Sequence, residues 1–227
     1  MFYELCNEGS NWYNCSVAMV YNETMNIPIG AGPHTQPWPT DPKYDPDLLA
    51  SGDRRNVEDK YRYWTVDAIK ADLATTRIEL HVAIENWQHD LNIGTIVRTA
   101  NAFNAAAVHI IGKRHWNRRG AMVTDRYLEI IHHPTVDAFV DSMKDRHIIA
   151  VDNQDGAEAL SHVILPKNAV LVFGGEGPGL SKEMIDAAER MVKIEQLGST
   201  RSVNVGVAAG IIMYKWLETN YLQNNNK

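Results

Sequence analysis

From about residue 78 onward, short apolar runs alternate with stretches whose apolar residues recur at helical spacing. The runs predict β-strands and the stretches predict α-helices. Strands alternating with helices are typical of a parallel sheet covered by helices on both faces, and we predict an α/β fold of this kind. The predicted strands are 78–86, 106–112, 127–133, 147–153, 169–175 and 191–196, and the main predicted helices are 91–104, 135–145 and 203–216.

The first 76 residues have a different pattern. Prolines at 28, 33, 37, 39, 42 and 46 predict extended chain, either wrapped on a surface or serving as a linker. Residues 56–74 predict a helix, with Tyr63, Val66, Ile69 and Leu73 near helical spacing. We therefore divide the chain into an irregular and helical N-terminal extension (1–76), a main α/β domain (77–220) and a flexible tail (221–227). The extension could enlarge a dimer, cover the sheet or contact RNA, and the sequence does not choose among these.

Composition narrows the class of protein. The chain has 227 residues, of which 44% are hydrophobic and 22% charged, as in an ordinary soluble protein. It has no apolar run long enough for a membrane span, and its start lacks the pattern of a secretory signal. Cys6 and Cys15 lie outside any CxxC spacing, so we expect no disulfide or metal framework and a cytoplasmic location.

The formal net charge of −6 argues against indiscriminate nucleic-acid binding, although a local basic patch can still bind RNA. Two basic clusters occur. In the segment 113–119 a tryptophan, Trp116, lies among basic residues directly after a predicted strand, a combination that suits phosphate contact and base stacking. The other basic cluster, which contains Arg55, is equally well explained as a solvated face of the protein. The residues that we assign to RNA binding are Arg114, Arg118 and Arg119 from the first cluster and Arg55 from the second.

Three polar or glycine-rich stretches follow predicted strands. The first, residues 92–98 (NIGTIVR), opens a helix, where Asn92 could be the N-cap and Arg98 lies on the polar stripe. The second, residues 173–181 (FGGEGPGLS), is neither a Walker A loop nor a dinucleotide fingerprint, and it holds Glu176 among glycines. The third, residues 194–211, includes GSTRSVN, in which Ser202 is the expected N-cap of the last helix.

In this order the three stretches resemble the three motifs of the SpoU-TrmH family of SPOUT methyltransferases. The resemblance covers about residues 77–218 and leaves the extension without a counterpart. It implies that the C-terminal part of the sheet is threaded into a trefoil knot, an exception to the rule against knots. It also implies S-adenosylmethionine as the cofactor, an obligate homodimer, and methylation of a ribose 2′-hydroxyl in tRNA or rRNA.

Residue by residue, the resemblance places Arg98 at the family's catalytic arginine. It also assigns catalytic positions to Asn92, Glu176, Ser202 and Asn204. The residues that we assign to the cofactor are Gly174, Ile194 and Val203, and with them Gly175, Leu197 and Val151. Two positions depart from the family pattern, Glu195 where a proline is frequent and Val203 where a longer apolar residue is usual, and both are expected to reshape the adenosine pocket slightly.

The three motifs contain no histidine or cysteine, so an ordinary general base is missing. The guanidinium group of arginine stays protonated at neutral pH, so it cannot accept a proton as a general base. This favours an electrostatic role for Arg98. Two alternatives remain. A catalytically inactive RNA-binding or ribosome-assembly module would have no chemical reason to keep Arg98, Glu176, Ser202 and Asn204. A generic nucleotide-binding protein would be expected to carry a P-loop lysine, which this chain lacks.

Overall fold

The computed structural model describes residues 30–87, 92–175 and 177–223. Seven strands and six α-helices occur in these ranges. The strands are β1 (Ile78–Asn86), β2 (Ala105–Gly112), β3 (Ile130–His133), β4 (His147–Val151), β5 (Glu158–Ala159), β6 (Ala169–Phe173) and β7 (Arg190–Lys193). The helices are α1 (Pro46–Ser51), α2 (Val66–Ala74), α3 (Asn92–Ala102), α4 (Val136–Ser142), α5 (Lys182–Ala187) and α6 (Val205–Leu217).

The strands form one sheet in the order β3-β2-β1-β6-β4-β7-β5, and every neighbouring pair is parallel. Side chains alternate between the two faces of each strand. In β6, Leu171 and Phe173 pack in a core with residues of α3 and α6, whereas Val170 and Val172 pack in a second core with residues of α4 and α5. The predicted parallel α/β sheet with helices on both faces is therefore confirmed. The two-residue strand β5 was not predicted.

The N-terminal extension is docked on the main domain. Tyr61 and Ile69 form a small buried core with Tyr127, which precedes β3. Next to it, the buried carboxylate of Asp53 accepts hydrogen bonds from the side chain of Arg55 and from the backbone N–H of Tyr63. Burial opposes the charge of Asp53, but these hydrogen bonds outweigh it and lower the pKa of Asp53 to about 2. Residues 30–76 thus form an ordered layer.

Several predicted boundaries differ from the structure by two or three residues. Larger differences occur in the extension and at the tail. The helix predicted over 56–74 begins only at Val66, because Tyr63 has a φ of 64°, which a right-handed helix cannot accommodate, and Thr65 then caps α2. Only a 3₁₀ turn at Asp59–Tyr61 precedes it. The tail was predicted from residue 221, but a π-helical turn at Glu218–Leu222 continues α6, and Asn220 donates a hydrogen bond to the backbone oxygen of Leu165.

Three imidazoles form a hydrogen-bonded row across neighbouring strands. His109 on β2 lies 2.8 Å from a ring nitrogen of His81 on β1 and 2.8 Å from one of His133 at the end of β3. Phe139 of α4 packs against His109 and His133. Burial lowers the pKa of His81 to about 4 and that of His109 to about 3, and it also lowers the pKa of His133. The histidine row is neutral at pH 7.

The histidine row makes the fold sensitive to acid. Below the ordinary histidine pKa of 6.5 the unfolded chain binds protons that the row cannot accept until the pH falls to about 4 or 3. Stability present at pH 7 is thus expected to fall by up to about 1.4 kcal/mol per pH unit for each histidine. Urea unfolding at pH 7 and pH 5 measures this loss. His109→Leu should show a weaker pH dependence, and equal dependences would contradict the assignment.

Within the described ranges, none of the helices has both the length and the hydrophobicity to cross a bilayer.

Candidate active site

A cleft of about 590 Å³ lies at the carboxyl ends of the parallel strands, beside the start of α6. Its volume is within the range of roughly 300–1,000 Å³ that is usual for cofactor sites. The carboxyl edge of such a sheet is where ligands bind in open α/β folds. The apolar part of the wall is formed by Val151, Phe173, Ile194, Val203, Val205 and Ala208, and the polar part includes Asp152, Asn153, Gln154, Gln196, Ser202 and Asn204.

The glycine-rich turn after β6 forms one side of the cleft. Gly175 pairs with Gly179 across the turn, and a Cβ added to Gly174 would lie only 2.1 Å from the backbone carbon of Gly179. Gly177 and Gly179 have φ angles of 103° and 71°, which side-chain-bearing residues rarely adopt. The turn therefore needs glycine. Glu176 lies outside the described residues.

Two carboxylates, from the strands on either side of β6, hold the end of this turn. Asp152, directly after β4, accepts hydrogen bonds from the backbone N–H of Leu180 at 3.1 Å and from Gln154. Glu85, near the end of β1, is 1% exposed and accepts hydrogen bonds from the backbone N–H and the hydroxyl of Ser181, both at 2.6 Å. Ser181 in turn caps α5. The C-terminal end of the turn is thus fixed to the sheet.

An amide pair joins the first and third motifs. Asn204 Nδ2 donates to Asn92 Oδ1 at 2.9 Å, while Asn204 Oδ1 accepts from the backbone N–H groups of Gly206 and Val207 and caps α6. The prediction that Ser202 is the cap was therefore wrong: Ser202 is exposed and lines the cleft. A Cβ on Gly206 would lie 3.1 Å from Thr95 Cγ2, so α6 and α3 approach closely, as the small residues of the last helix predicted.

Arg98 lies one turn along α3 from Thr95, and both side chains are exposed. Arg98 is not part of the cleft wall, and it forms no ion pair with any residue that the structure describes. The exposed guanidinium lies on the helix that contacts the start of α6.

The predicted cofactor residues divide into two groups. Val151, Gly174, Gly175, Ile194 and Val203 line the cleft, but Leu197 is fully exposed and lies outside its wall. Glu195, one of the two departures from the family pattern, also lies outside, and its carboxylate accepts a hydrogen bond from the backbone N–H of Ser161. Gln196 lines the cleft, and its buried Oε1 has no hydrogen-bond partner among the residues that the structure describes.

The basic segment 113–119 begins directly after β2. Asn86, at the end of β1, holds its start by donating to the backbone oxygens of Lys113 and His115 at 2.7 and 3.0 Å. Trp116 is half-buried against the core, and the guanidinium of Arg118 lies 5.5 Å from its ring centroid and 3.2 Å from Asp125. Arg114 and Arg119 are exposed. This arrangement leaves their charges available to RNA.

Arg55 differs from these arginines. Its guanidinium donates to Asp53 and to the backbone oxygen of Trp64, and its side chain is 19% exposed. This placement gives Arg55 a structural role in the extension and does not support the predicted RNA contact.

Sequence reasoning missed several residues of the site. Asp152 and Glu85 each lie at the carboxyl end of a predicted strand, which was a usable signal. Gly120 was also missed: a Cβ on it would lie 2.9 Å from the backbone nitrogen of Thr95, so the end of the basic segment touches the first turn of α3. Nothing in its sequence neighbourhood indicates that contact.

Comparisons with known proteins agree with this architecture. The tRNA (guanosine(18)-2′-O)-methyltransferase of Escherichia coli K12 is 26% identical over 148 residues, which are 63% of this chain and 65% of that protein. The match thus spans less than two thirds of that relative.

Two solved structures share the fold. The A. aeolicus TrmH/SpoU tRNA modifying enzyme has a TM-score of 0.62 at 24% identity, over 70% of this chain and 84% of that one. The AdoMet-bound rRNA methyltransferase of Sinorhizobium meliloti has a TM-score of 0.56 at 23% identity, over 61% of this chain and 56% of that one. The sequence profile of the SpoU rRNA Methylase family matches residues 79–214, from β1 to α6. The chain therefore belongs to the SpoU rRNA Methylase family.

Proposed function

We propose that this protein transfers a methyl group from S-adenosylmethionine to a ribose 2′-hydroxyl in tRNA or rRNA, in the cytoplasm. The observation that carries the proposal is the Asn92–Asn204 hydrogen bond, which joins the cleft at the start of α6 to the helix that carries Arg98. A small-molecule site and an exposed arginine are thereby brought onto two helices that contact each other. The 2′-O specificity is supported by the name of the E. coli relative.

The cleft fits the cofactor chemically. Its wall has an apolar part around Ile194 and Val203 for an adenine ring, and it has backbone groups of the glycine-rich turn for polar atoms. The buried Oε1 of Gln196, which accepts no hydrogen bond from the described part of the chain, is an acceptor that a hydroxyl or amino donor would satisfy. Gly174, Gly175, Ile194 and Val203, with Val151 and Gln196, are the residues that would hold the cofactor.

When bound, S-adenosylmethionine would supply an electrophilic methyl carbon on sulfur. The 2′-oxygen would bond to that carbon as the carbon–sulfur bond breaks with its electron pair left on sulfur, and the hydroxyl proton would pass to solvent. Arg98 offers a planar set of N–H donors that remains charged throughout, so it orients a neighbouring phosphate and stabilises negative charge developing on the oxygen. Ser202 and Asn204, at the mouth of the cleft, position the ribose. We assign Glu176 the task of bracing the motif loops.

The proposed assembly is a homodimer with a trefoil knot in its C-terminal half. Support for the dimer comes from α6, where Val207, Ile211 and Tyr214 recur at helical spacing and are 55%, 42% and 52% exposed. A contiguous exposed apolar face of this kind is typical of an interface between copies of a chain.

The dimer surface can be tested by charge. Ile211→Glu is expected to convert the protein to monomer in size-exclusion chromatography with light scattering, because a carboxylate would be buried unpaired at the interface. Ile164→Glu is the matched control, since Ile164 is 78% exposed and precedes the amino end of β6. A wild-type monomer would contradict the dimer, and an unchanged Ile211→Glu dimer would contradict this surface.

The proposed reaction is tested with radiolabelled S-adenosylmethionine and total RNA stripped of its modifications, alongside Arg98→Ala. Label located on a ribose of one RNA, and absent with the variant, is the expected result. Cofactor affinity is measured separately by calorimetry. A protein that binds neither cofactor nor transfers label would contradict the enzyme proposal and favour an RNA-binding module.

A further inference from the structure

Two consecutive residues between β2 and β3 have left-handed backbone. Met122 and Val123 have φ angles of 49° and 67°, and their side chains are 53% and 51% exposed. A β-branched residue such as valine is a real outlier in this region. Backbone strain of this kind persists only where the surroundings impose it, and it is concentrated at functional sites. We call Met122 and Val123 the apolar tip.

The residues on both sides of the apolar tip are anchored. Ala121 is fully buried, and Thr124 is 3% exposed and donates its hydroxyl to the backbone oxygen of Ala121 at 2.6 Å. Just before them, Gly120 packs against Gly94, where an added Cβ would lie 2.9 Å from Gly120 Cα. The tip is therefore a short, rigid projection, held out from the surface by buried neighbours.

The segment that carries the tip adjoins the helix that carries Arg98. A Cβ added to Gly120, two residues before the tip, would lie 2.9 Å from the backbone nitrogen and 3.2 Å from the hydroxyl of Thr95 on α3. The same Thr95 side chain lies close to Gly206 at the start of α6. Arg98 follows one turn later on α3, and its side chain is exposed like that of Thr95. A polymer whose ribose lies at Arg98 can therefore reach the segment that carries the tip.

The charges around the tip favour a polyanion. Residues 113–126 contain five lysines and arginines and one acidic residue, in a chain of net charge −6. Among them, Arg119 and Arg126 are exposed on either side of the tip, and the acidic residue, Asp125, is paired with Arg118. Exposed apolar side chains between exposed guanidinium groups suit a nucleic acid, which offers base faces beside phosphates.

We propose that the apolar tip packs against an unstacked base of the RNA, next to the nucleotide whose ribose lies at Arg98, while Arg119 and Arg126 contact the adjoining phosphates. This inference rests on the proposed function. Apolar side chains can insert beside bases that have been unstacked, and a thioether interacts favourably with an aromatic ring. The tip would thereby help to select an RNA site whose bases can be splayed apart.

The test replaces both tip residues, Met122→Asn with Val123→Asn. Asparagine tolerates left-handed backbone, so the fold is kept while the apolar contact is lost. RNA affinity is measured without cofactor by fluorescence anisotropy on unmodified tRNA and rRNA transcripts. We expect binding about tenfold weaker, with S-adenosylmethionine affinity unchanged. Ile164→Asn, a remote exposed apolar position, is the control and should bind like the wild type.

Salt dependence separates base contact from phosphate contact. The asparagine variant removes no charge, so its plot of log Kd against log salt should keep the wild-type slope, whereas Arg119→Ala should lower the slope by about one phosphate contact. If the double variant does not fold, Val123→Gly removes the apolar group and suits the observed φ.

Three results would overturn the proposal: wild-type RNA affinity in the tip variants, no RNA binding by the wild type, or a loss of dimer, which would place the tip at a subunit interface. Absence of methyl transfer by a wild type that still binds RNA would instead contradict the proposed function alone.

Discussion

Replacing Arg98 with alanine is expected to lower the kcat of RNA methylation by about 10²- to 10³-fold, the usual cost of removing a donor that stabilises developing negative charge. Because Arg98 lies outside the cleft wall, the affinity for S-adenosylmethionine should stay unchanged. Arg98→Lys keeps the charge but loses the planar fork of donors, so it should restore little activity. Single-turnover kinetics and calorimetry measure the two effects separately.

Arg54→Ala is the matched control for this prediction, since Arg54 is an exposed arginine of the extension. Near wild-type turnover by Arg98→Lys would exclude a planar, bidentate contact. Activity retained by Arg98→Ala would remove Arg98 from the mechanism altogether.

The second large effect is expected at Gly174. A methyl group there would lie 2.1 Å from the backbone carbon of Gly179 and 2.4 Å from the backbone nitrogen of Leu180, so the turn must open. Gly174→Ala should therefore weaken S-adenosylmethionine binding by about 10- to 100-fold, measured by calorimetry. In Gly198→Ala, the control from the third motif, the new methyl group meets no atom within 4 Å and binding should be unchanged. Equal affinities of the two variants would contradict the role of this turn.

Much of the sheet could be predicted because its apolar pattern is unambiguous. The strand predicted at 78–86 coincides with β1, whose Leu80, Val82 and Ile84 fill one core while Ala83 faces the other. The extension was harder because its order depends on docking: Tyr127, far along the chain, completes the core around Tyr61 and Ile69. The spacing of apolar residues along the chain does not reveal a packing partner that is distant in sequence.

Site residues could be predicted from the sequence where their role depends on the local turn. They could not be predicted where the role depends on a contact with a residue distant in sequence. The glycine-rich turn is visible as a motif, but the carboxylate that holds it, Glu85, is 96 positions from Ser181. Ser202 and Asn204 are both plausible caps by type. In the structure the cap is Asn204, which also donates a hydrogen bond to Asn92, 112 positions away. Local propensity cannot decide between two good caps when a tertiary contact does.

The docking of the extension on Tyr127 has a consequence for how the molecule opens. Tyr127 lies four residues beyond Val123 in the same connection between β2 and β3, and its backbone oxygen accepts a hydrogen bond from Arg77. Residues of one small core exchange their amide hydrogens together when that core opens. The stretch from Met122 to Tyr127 and the helix Val66–Ala74 should therefore exchange as one cooperative unit. A chain shortened to begin at residue 77 would keep every family motif yet lose the packing that orders the segment carrying the apolar tip.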